Sequence, residues 1–219
     1  MTLLIFDCDG VLVDSEVIAH ETLRELMETL GRPMTMAEMI AEFAGKSLAD
    51  TVATAERLLG RPIPADVSQE FGQRLLDRFR RELKPIPGVR DAILALPHRR
   101  CVASSSSPER LHLSLAVTGL APLFGDRIFS AVAVTNGKPA PDLYLLAART
   151  LDEPPEHCIV IEDTVRGVAA GHAAKMRVVG FVGAAHATPA LADGLRRAGA
   201  DVVIRTMRDL PAVVRRLIA

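Results

Sequence analysis

The amino-acid sequence predicts an α/β fold, in which a parallel sheet is covered by helices on both faces and carries an inserted block of helices. Short, fully apolar runs alternate with helical stretches over most of the chain, a pattern typical of parallel strands that are buried on both faces. One such run stands at the start of the chain. A long helical stretch without a strand pattern separates it from the others.

Six apolar runs are predicted to be strands, namely residues 3–6, 101–103, 128–129, 158–161, 178–181 and 202–204. After the first run, Asp14 or Ser15 can cap a long helix, and breaks at residues 31–33, Gly45 and 60–64 divide the helical stretch that follows. The proline-containing segment 84–88 then leads back to the strands. We therefore predict an α/β core of residues 1–14 and 84–219 and an all-helical domain of residues 15–83.

The composition is that of an ordinary globular protein and excludes several functional classes. Of 219 residues, 49% are hydrophobic and 24% are charged, and the net charge of -1 predicts neither a nucleic-acid nor a membrane-surface partner. No run approaches the roughly 20 apolar residues of a membrane span, and the apolar start is too short for a signal peptide. Three scattered cysteines suit a reduced, cytoplasmic protein. The composition predicts no particular oligomeric state.

Polar side chains follow four of the predicted strands. They are Asp7 and Asp9 after the first strand, Ser104 to Ser107 after the second, Lys138 after the third, and Glu162 and Asp163 after the fourth. Because ligands bind at the carboxyl ends of strands in an open parallel sheet, we expect these side chains to share one pocket.

This set of residues suits phosphoryl transfer. Carboxylates are hard oxygen ligands that suit Mg²⁺, and a carboxylate such as Asp7 is also a nucleophile toward phosphorus. Lys138, with the hydroxyls of Ser104 and Ser105, is placed to neutralise the transferred group. Taken singly, an Asp-x-Asp-Gly turn, a serine loop or an acidic helix start is more often structural. Their order after four strands favours a catalytic site.

The same segments resemble the haloacid dehalogenase (HAD) superfamily, in the subgroup of β-phosphoglucomutase and phosphoglycolate phosphatase. The four matching segments are residues 7–15, 102–106, 137–142 and 161–164, the last continued by Gly167, Ala170, Gly171 and Met176. The resemblance implies a Rossmann-like (HAD-type) parallel sheet core with a helical cap inserted into it. It also implies a Mg²⁺-dependent phosphatase that acts on a small phosphate ester.

The resemblance further implies a role for each residue. Asp7 is expected to be the nucleophile and a metal ligand, and Asp9 the general acid and base, with its backbone carbonyl on the metal. Ser104 and Lys138 are expected to hold the phosphoryl group, assisted by Ser105. Asp163 is expected to bind Mg²⁺, with Glu162 beside it or reaching it through water.

Three other functions stay open at this point: a phosphomutase, a haloacid dehalogenase and a phosphorylated receiver domain. Asp9 argues against the dehalogenase, and the helical insertion after the first strand argues against the receiver. Residues 43–48 resemble the cap loop of β-phosphoglucomutase, but Leu48 stands where that family has an arginine, which weakens the mutase hypothesis. Lys46 is a candidate substrate-binding residue in this loop.

Other residues are assigned structural roles. Cys8 is expected to pack in the interior, and Gly167 and Gly171 are expected to let a helix approach the sheet. His186 follows the fifth predicted strand, a position from which it can approach the rim of the pocket, but without a partner motif we expect it to be a surface-loop histidine.

Overall fold

The computed structural model describes residues 2–43, 46 and 48–218, which form one six-stranded sheet surrounded by helices. All six predicted strands are present. They are β1 (Leu3–Phe6), β2 (Arg99–Ser104), β3 (Ile128–Ser130), β4 (Cys158–Glu162), β5 (Arg177–Phe181) and β6 (Val202–Ile204). The predicted apolar runs lie inside these strands, several of which extend by one or two residues.

The strands are ordered β3-β2-β1-β4-β5-β6, and all neighbours are parallel. Strand β1 lies at the centre, where Phe6 is paired with Val102 of β2 and Ile161 of β4. The chain runs outward from β1 first toward β3 and then toward β6, so β1 marks the point at which the strand order reverses. Ligands bind at such a point in open α/β sheets, beyond the carboxyl ends of the strands. The predicted α/β fold class is confirmed.

Four helices follow β1 in the segment predicted to be a helical insertion. They are α1 (Glu16–Thr29), α2 (Met36–Phe43), α3 (Leu48–Leu59) and α4 (Ala65–Glu82). Gly31 follows α1 with a φ of 87°, a conformation that favours glycine, and the predicted break at residues 60–64 separates α3 from α4. The predicted break at Gly45 lies outside the described residues. The elements described in this segment are all helices, as expected for a cap. That the segment forms a separate domain stays a prediction.

The remaining helices belong to the sheet core. They are α5 (Val89–Leu94), α6 (Pro108–Val117), α7 (Ala121–Phe124), α8 (Asp142–Thr150), α9 (Val165–Ala173), α10 (Leu191–Arg197) and α11 (Leu210–Ile218). None of the helices in the described part of the chain is both long and apolar enough to cross a membrane.

Strand β1 is apolar throughout because both of its faces are buried. Leu4 and Phe6 face a hydrophobic cluster that also includes buried side chains of α1 and α4. Leu3 and Ile5 face a second cluster, which contains residues of α8 and α9. The strand that carries Asp7 is therefore held from both sides, and this fixes the position at which its carboxyl end meets the pocket.

Arg78 of α4 ties this helix to α1. Its guanidinium lies 2.8 Å from Glu21 on α1 and 2.8 Å from Glu82 on its own helix, and it donates to the Thr22 hydroxyl at 3.2 Å. The side chain is only 15% exposed, so these interactions are less screened by solvent than those of a surface pair.

We predict that Arg78→Met lowers the free energy of unfolding by roughly 1–3 kcal/mol, because it removes hydrogen bonds to charged groups. Arg74→Met is the matched control on the same helix. Among the described residues Arg74 pairs only with Glu70, both side chains are about half or more exposed, and we expect a loss below about 0.5 kcal/mol. Urea unfolding of both variants measures the difference, and equal losses would contradict the assigned role of Arg78.

Candidate active site

A cavity of about 530 Å³ opens at the carboxyl edge of the sheet, over the end of β1. All the residues that the sequence singled out for the site line it: Asp7, Asp9, Lys46, Ser104, Ser105, Lys138, Glu162 and Asp163. Helix α4 covers the opposite side, with Gln69, Phe71 and Gln73 among its contributions. The cavity therefore lies between the catalytic edge of the sheet and the inserted helices.

The turn after β1 places the two aspartates. Asp7 continues the sheet by donating its N–H to Ile161 at 3.0 Å, and the Cys8 carbonyl accepts from Leu12 at 2.9 Å. Gly10 has a φ of 77°, and a Cβ on it would collide with the Asp163 carboxylate. A glycine is therefore required at this position both for the backbone conformation and for the close approach. Cys8 is fully buried, as predicted.

Lys138 is the buried cation of the site. Its ammonium group lies 2.8 Å from Asp7 and 2.7 Å from Glu162, donates to the Ala103 carbonyl at 3.2 Å, and stands 4.9 Å from the centre of the Tyr144 ring. Burial alone would lower the pKa of Lys138. The two carboxylates outweigh this effect and hold the pKa well above its usual value, so the lysine stays charged.

Protein donors occupy both oxygens of Glu162. One oxygen accepts from Lys138 at 2.7 Å and from the Tyr144 hydroxyl at 3.1 Å. The other accepts from the backbone N–H of Thr164 at 2.7 Å and from its hydroxyl at 3.0 Å. A Cβ on Gly167 of α9 would overlap this carboxylate. The close approach predicted at Gly167 is therefore confirmed, and the group that needs the space is Glu162.

Asp163 has a different environment. Both of its carboxylate oxygens are buried, and neither accepts a hydrogen bond from the described residues. Carboxylate oxygens of Asp7, Glu162 and Asp163 lie within 4.8 Å of one another. Burial raises the pKa of Asp163 to about 6, and the nearby Glu162 charge adds to the rise. A buried carboxylate that accepts no hydrogen bond from the described residues, in such a cluster, fits a small divalent cation that prefers oxygen ligands.

His186 is not a surface-loop histidine, and that prediction was wrong. The turn after β5 folds back over the edge of the sheet and leaves the imidazole 10% exposed, with Nε2 3.2 Å from Asp163. The carboxylate raises the pKa of His186 against the opposing effect of burial. Nothing in the local sequence around His186 signals this contact, because it depends on how the turn is folded.

Asp9 has a different electrostatic environment from that of the residues around Lys138. Its carboxylate accepts from the hydroxyls of Ser15 at 2.5 Å and Ser106 at 2.6 Å, and from Arg110 of α6 at 2.7 Å. Burial alone would raise the pKa of Asp9, but Arg110 and the two hydroxyls outweigh burial and lower it. Sequence reasoning missed Arg110 as a site residue, although it lies only four residues after Ser106.

Ser15 has a role other than the predicted helix cap. The sequence offered Asp14 or Ser15 as a cap for α1, but that helix has no side-chain cap hydrogen bond. The Ser15 hydroxyl donates to Asp9, while Asp14 accepts from the Ala185 N–H at 3.2 Å. The two residues that begin α1 therefore connect it to the catalytic edge of the core.

The serine loop and Lys46 complete the lining. Ser104 is buried, and its hydroxyl accepts from the Ser106 N–H at 3.2 Å. Lys46 donates to the Thr54 hydroxyl at 2.7 Å and stands 6.0 Å from the centre of the Phe43 ring, at the cap side of the cavity. Residues 44, 45 and 47 and the side chain of Leu48 lie outside the part of the chain that the structure describes, so the expectation based on Leu48 stays a prediction.

We predict that Gly167→Ala lowers the turnover number by about 10²-fold, because the added methyl group displaces Glu162 and with it Lys138. The variant should also lose roughly 1–3 kcal/mol of stability through overpacking. Gly72→Ala is the control for stability, since a Cβ there meets no atom within 4 Å. It should gain about 0.4–1 kcal/mol. Steady-state rates and urea unfolding test both statements, and an active, stable Gly167→Ala variant would contradict the assigned contact.

Comparison with known proteins identifies relatives along most of the chain. Phosphorylated carbohydrates phosphatase of Thermotoga maritima is 32% identical over 196 residues, which covers 83% of this chain and 86% of that protein. Protein SUPPRESSOR OF QUENCHING 1, chloroplastic, of Arabidopsis thaliana is 31% identical over 188 residues and covers 80% of this chain, but the matching part is only 17% of its length.

A solved structure is similar over the full chain. The conserved haloacid dehalogenase-like protein of unknown function from Agrobacterium tumefaciens is 39% identical, with a TM-score of 0.87 and 100% coverage of both chains. The family model of the haloacid dehalogenase-like hydrolases matches residues 1–175. This confirms the resemblance inferred from the four motifs. The chain therefore belongs to the haloacid dehalogenase-like hydrolases.

Proposed function

We propose that this chain is a Mg²⁺-dependent phosphatase that hydrolyses a small phosphorylated metabolite, such as a sugar phosphate, through a covalent phosphoryl group on Asp7. One observation carries the proposal. The Asp7 carboxylate stands 2.8 Å from a buried, charged Lys138, while Asp9 and Asp163 line the same cavity. Nucleophile, cation, proton carrier and metal ligand are thus all within one pocket.

The first step is attack of an Asp7 oxygen on phosphorus. A bond forms between this oxygen and phosphorus, and the bond from phosphorus to the ester oxygen breaks. Lys138 and the Ser104 hydroxyl stabilise the negative charge of the transferred group. Asp9 gives its proton to the departing oxygen, because an alkoxide is a poor leaving group without one.

The second step returns the enzyme to its starting state. Asp9, now ionised, takes a proton from a water molecule, whose oxygen attacks the phosphorus of the phosphoryl group on Asp7. The bond between phosphorus and the Asp7 oxygen breaks, and inorganic phosphate leaves. The hydrogen bonds from Ser15, Ser106 and Arg110 stabilise the ionised form of Asp9 that this step requires.

Asp7 and Asp163 are proposed to hold Mg²⁺, together with the backbone carbonyl of Asp9. Bound there, the metal would supply charge neutralisation for the phosphoryl oxygens. Glu162 is proposed to act mainly by holding Lys138, since four protein donors already occupy its carboxylate. Three clustered carboxylates beside one lysine leave excess negative charge, which supports a cation at this position.

The walls of the cavity support a polyol-like substrate. On the side of the inserted helices the lining includes the hydroxyl of Ser68 and the amides of Gln69 and Gln73, which suit the hydroxyl groups of a sugar. Lys46 is the candidate cation on that side and is proposed to contact the substrate. The similarity to a phosphorylated carbohydrates phosphatase points in the same direction.

A panel of sugar phosphates with p-nitrophenyl phosphate tests the function. We expect release of inorganic phosphate in the presence of Mg²⁺ and its loss on addition of EDTA. Asp7→Asn should abolish turnover, because an amide does not form the acyl phosphate. Asp193→Asn is a control at an exposed aspartate of α10 outside the cavity lining. Sustained turnover by Asp7→Asn would refute the mechanism, and an isomerised sugar phosphate without phosphate release would favour a mutase.

We predict that Mg²⁺ stabilises the protein more at pH 7.5 than at pH 5. The pKa of Asp163 is raised to about 6, so without metal its ionisation costs stability as the pH rises from about 4 through 6. Mg²⁺ binds the ionised form, and at pH 5 it must displace a proton, which weakens its affinity by about 10-fold. Thermal unfolding with and without Mg²⁺ measures this, with Asp163→Asn as the variant that should lose the effect. Equal stabilisation at both pH values would contradict the prediction.

A further inference from the structure

Arg110 differs from the other buried charged residues because, within the described residues, its side chain forms hydrogen bonds with one side chain only. Within the described part of the chain, its side chain forms a hydrogen bond only with Asp9, at 2.7 Å, and its buried Nε has no partner. An arginine that served only to link elements of the core would share its donors among several acceptors. The guanidinium is therefore directed at Asp9.

A helix of the cap also contacts the guanidinium. Its central carbon stands 5.0 Å from the ring centre of Phe79, a fully buried residue near the end of α4. Stacking on an aromatic face holds a planar guanidinium in one orientation. Arg110 thus lies between a residue of the inserted helices and the proton carrier of the core.

The charge of Arg110 is permanent in this environment. Burial alone would lower its pKa, but Asp9 and Glu16 outweigh burial and raise the pKa. Glu16 is the first residue of α1 and faces the same cavity. The guanidinium is thus held by negative charge on one side and by an aromatic ring on the other.

Together with two hydroxyls, Arg110 fixes the Asp9 carboxylate at three points. Ser15 belongs to the segment between β1 and α1, Ser106 to the loop after β2, and Arg110 to α6. Removing a neutral hydroxyl leaves two contacts, one of them charged. Removing Arg110 leaves only the two neutral hydroxyls and takes away the charged contact.

We propose that Arg110 is a positioning residue that sets the orientation of Asp9 for its two proton transfers, with Phe79 of the inserted helices as its support. This inference rests on the proposed function, in which Asp9 gives a proton to the leaving group and then takes one from water. Both transfers require the carboxyl group within hydrogen-bond reach of the reacting oxygen.

Leaving-group chemistry separates this role from a structural one. p-Nitrophenolate departs without a proton, so formation of the phosphoryl group on Asp7 from p-nitrophenyl phosphate needs Asp9 little. Hydrolysis of that group still needs Asp9 as the base. A misplaced Asp9 therefore slows the second step and not the first.

The experiment mixes Mg²⁺-loaded enzyme rapidly with p-nitrophenyl phosphate and measures the time course of p-nitrophenolate release. We expect Arg110→Met to give a burst of about one equivalent, followed by a steady state about 10²-fold slower than wild type. Asp9→Asn should give the same pattern. Arg110→Lys keeps the charge but not the planar donor, and we expect it to give a smaller burst and an intermediate steady-state rate. Arg74→Met, outside the cavity, should behave as wild type.

Three outcomes overturn the inference. Arg110→Met with wild-type kinetics does so directly. If Arg110→Met loses both kinetic phases in parallel and has a lowered thermal midpoint, its role is structural. If Arg110→Met does not fold, the same parallel loss in the milder Arg110→Lys overturns the inference. Wild-type protein that releases no p-nitrophenolate at all overturns the proposed function as well, whereas an active wild type with either of the first two results overturns only the role of Arg110.

Discussion

The ammonium group of Lys138 is buried between Asp7 and Glu162, and the arrangement of the whole catalytic edge depends on this contact. Charges inside a protein are costly unless they are paired, and removal of one partner from a buried pair costs about 3–5 kcal/mol. Each of the three side chains must therefore be delivered to the same point by a different strand or loop. The parallel order of β3, β2, β1 and β4 places the carboxyl ends of these strands at one edge of the sheet, where the three side chains meet.

The site divides into two halves of opposite electrostatic character. In one half, Asp7 and Asp163 belong to a crowded acidic cluster, where burial raises the pKa of Asp163. In the other half, only two residues from Asp7, Asp9 is surrounded by donors that lower its pKa. The partners of the two carboxylates separate the two environments, since Lys138 contacts Asp7 whereas Asp9 accepts from two hydroxyls and Arg110. One half suits a nucleophile beside a cation, and the other stabilises Asp9 in the ionised form that accepts a proton from water.

The sequence allowed the strands, the position of the helical insertion and the pocket residues that directly follow strands to be predicted, because these depend on short local patterns. The apolar run before Asp7 and the serine loop after the second strand are examples. Arg110, Tyr144 and His186 could not be found in this way. Their roles arise where α6, α8 and the turn after β5 are placed against the sheet, and no local motif records that placement.

The Tyr144 hydroxyl lies 3.1 Å from Glu162 and its ring faces the Lys138 ammonium. It is also the only tyrosine of the chain, which has no tryptophan. The ultraviolet emission of the whole protein therefore originates almost entirely from one ring inside the catalytic cluster. Tyr144 is thus an intrinsic fluorescent probe of the site. A change in the charge or position of Glu162 or Lys138 alters its emission, and no other residue of the chain emits with comparable strength.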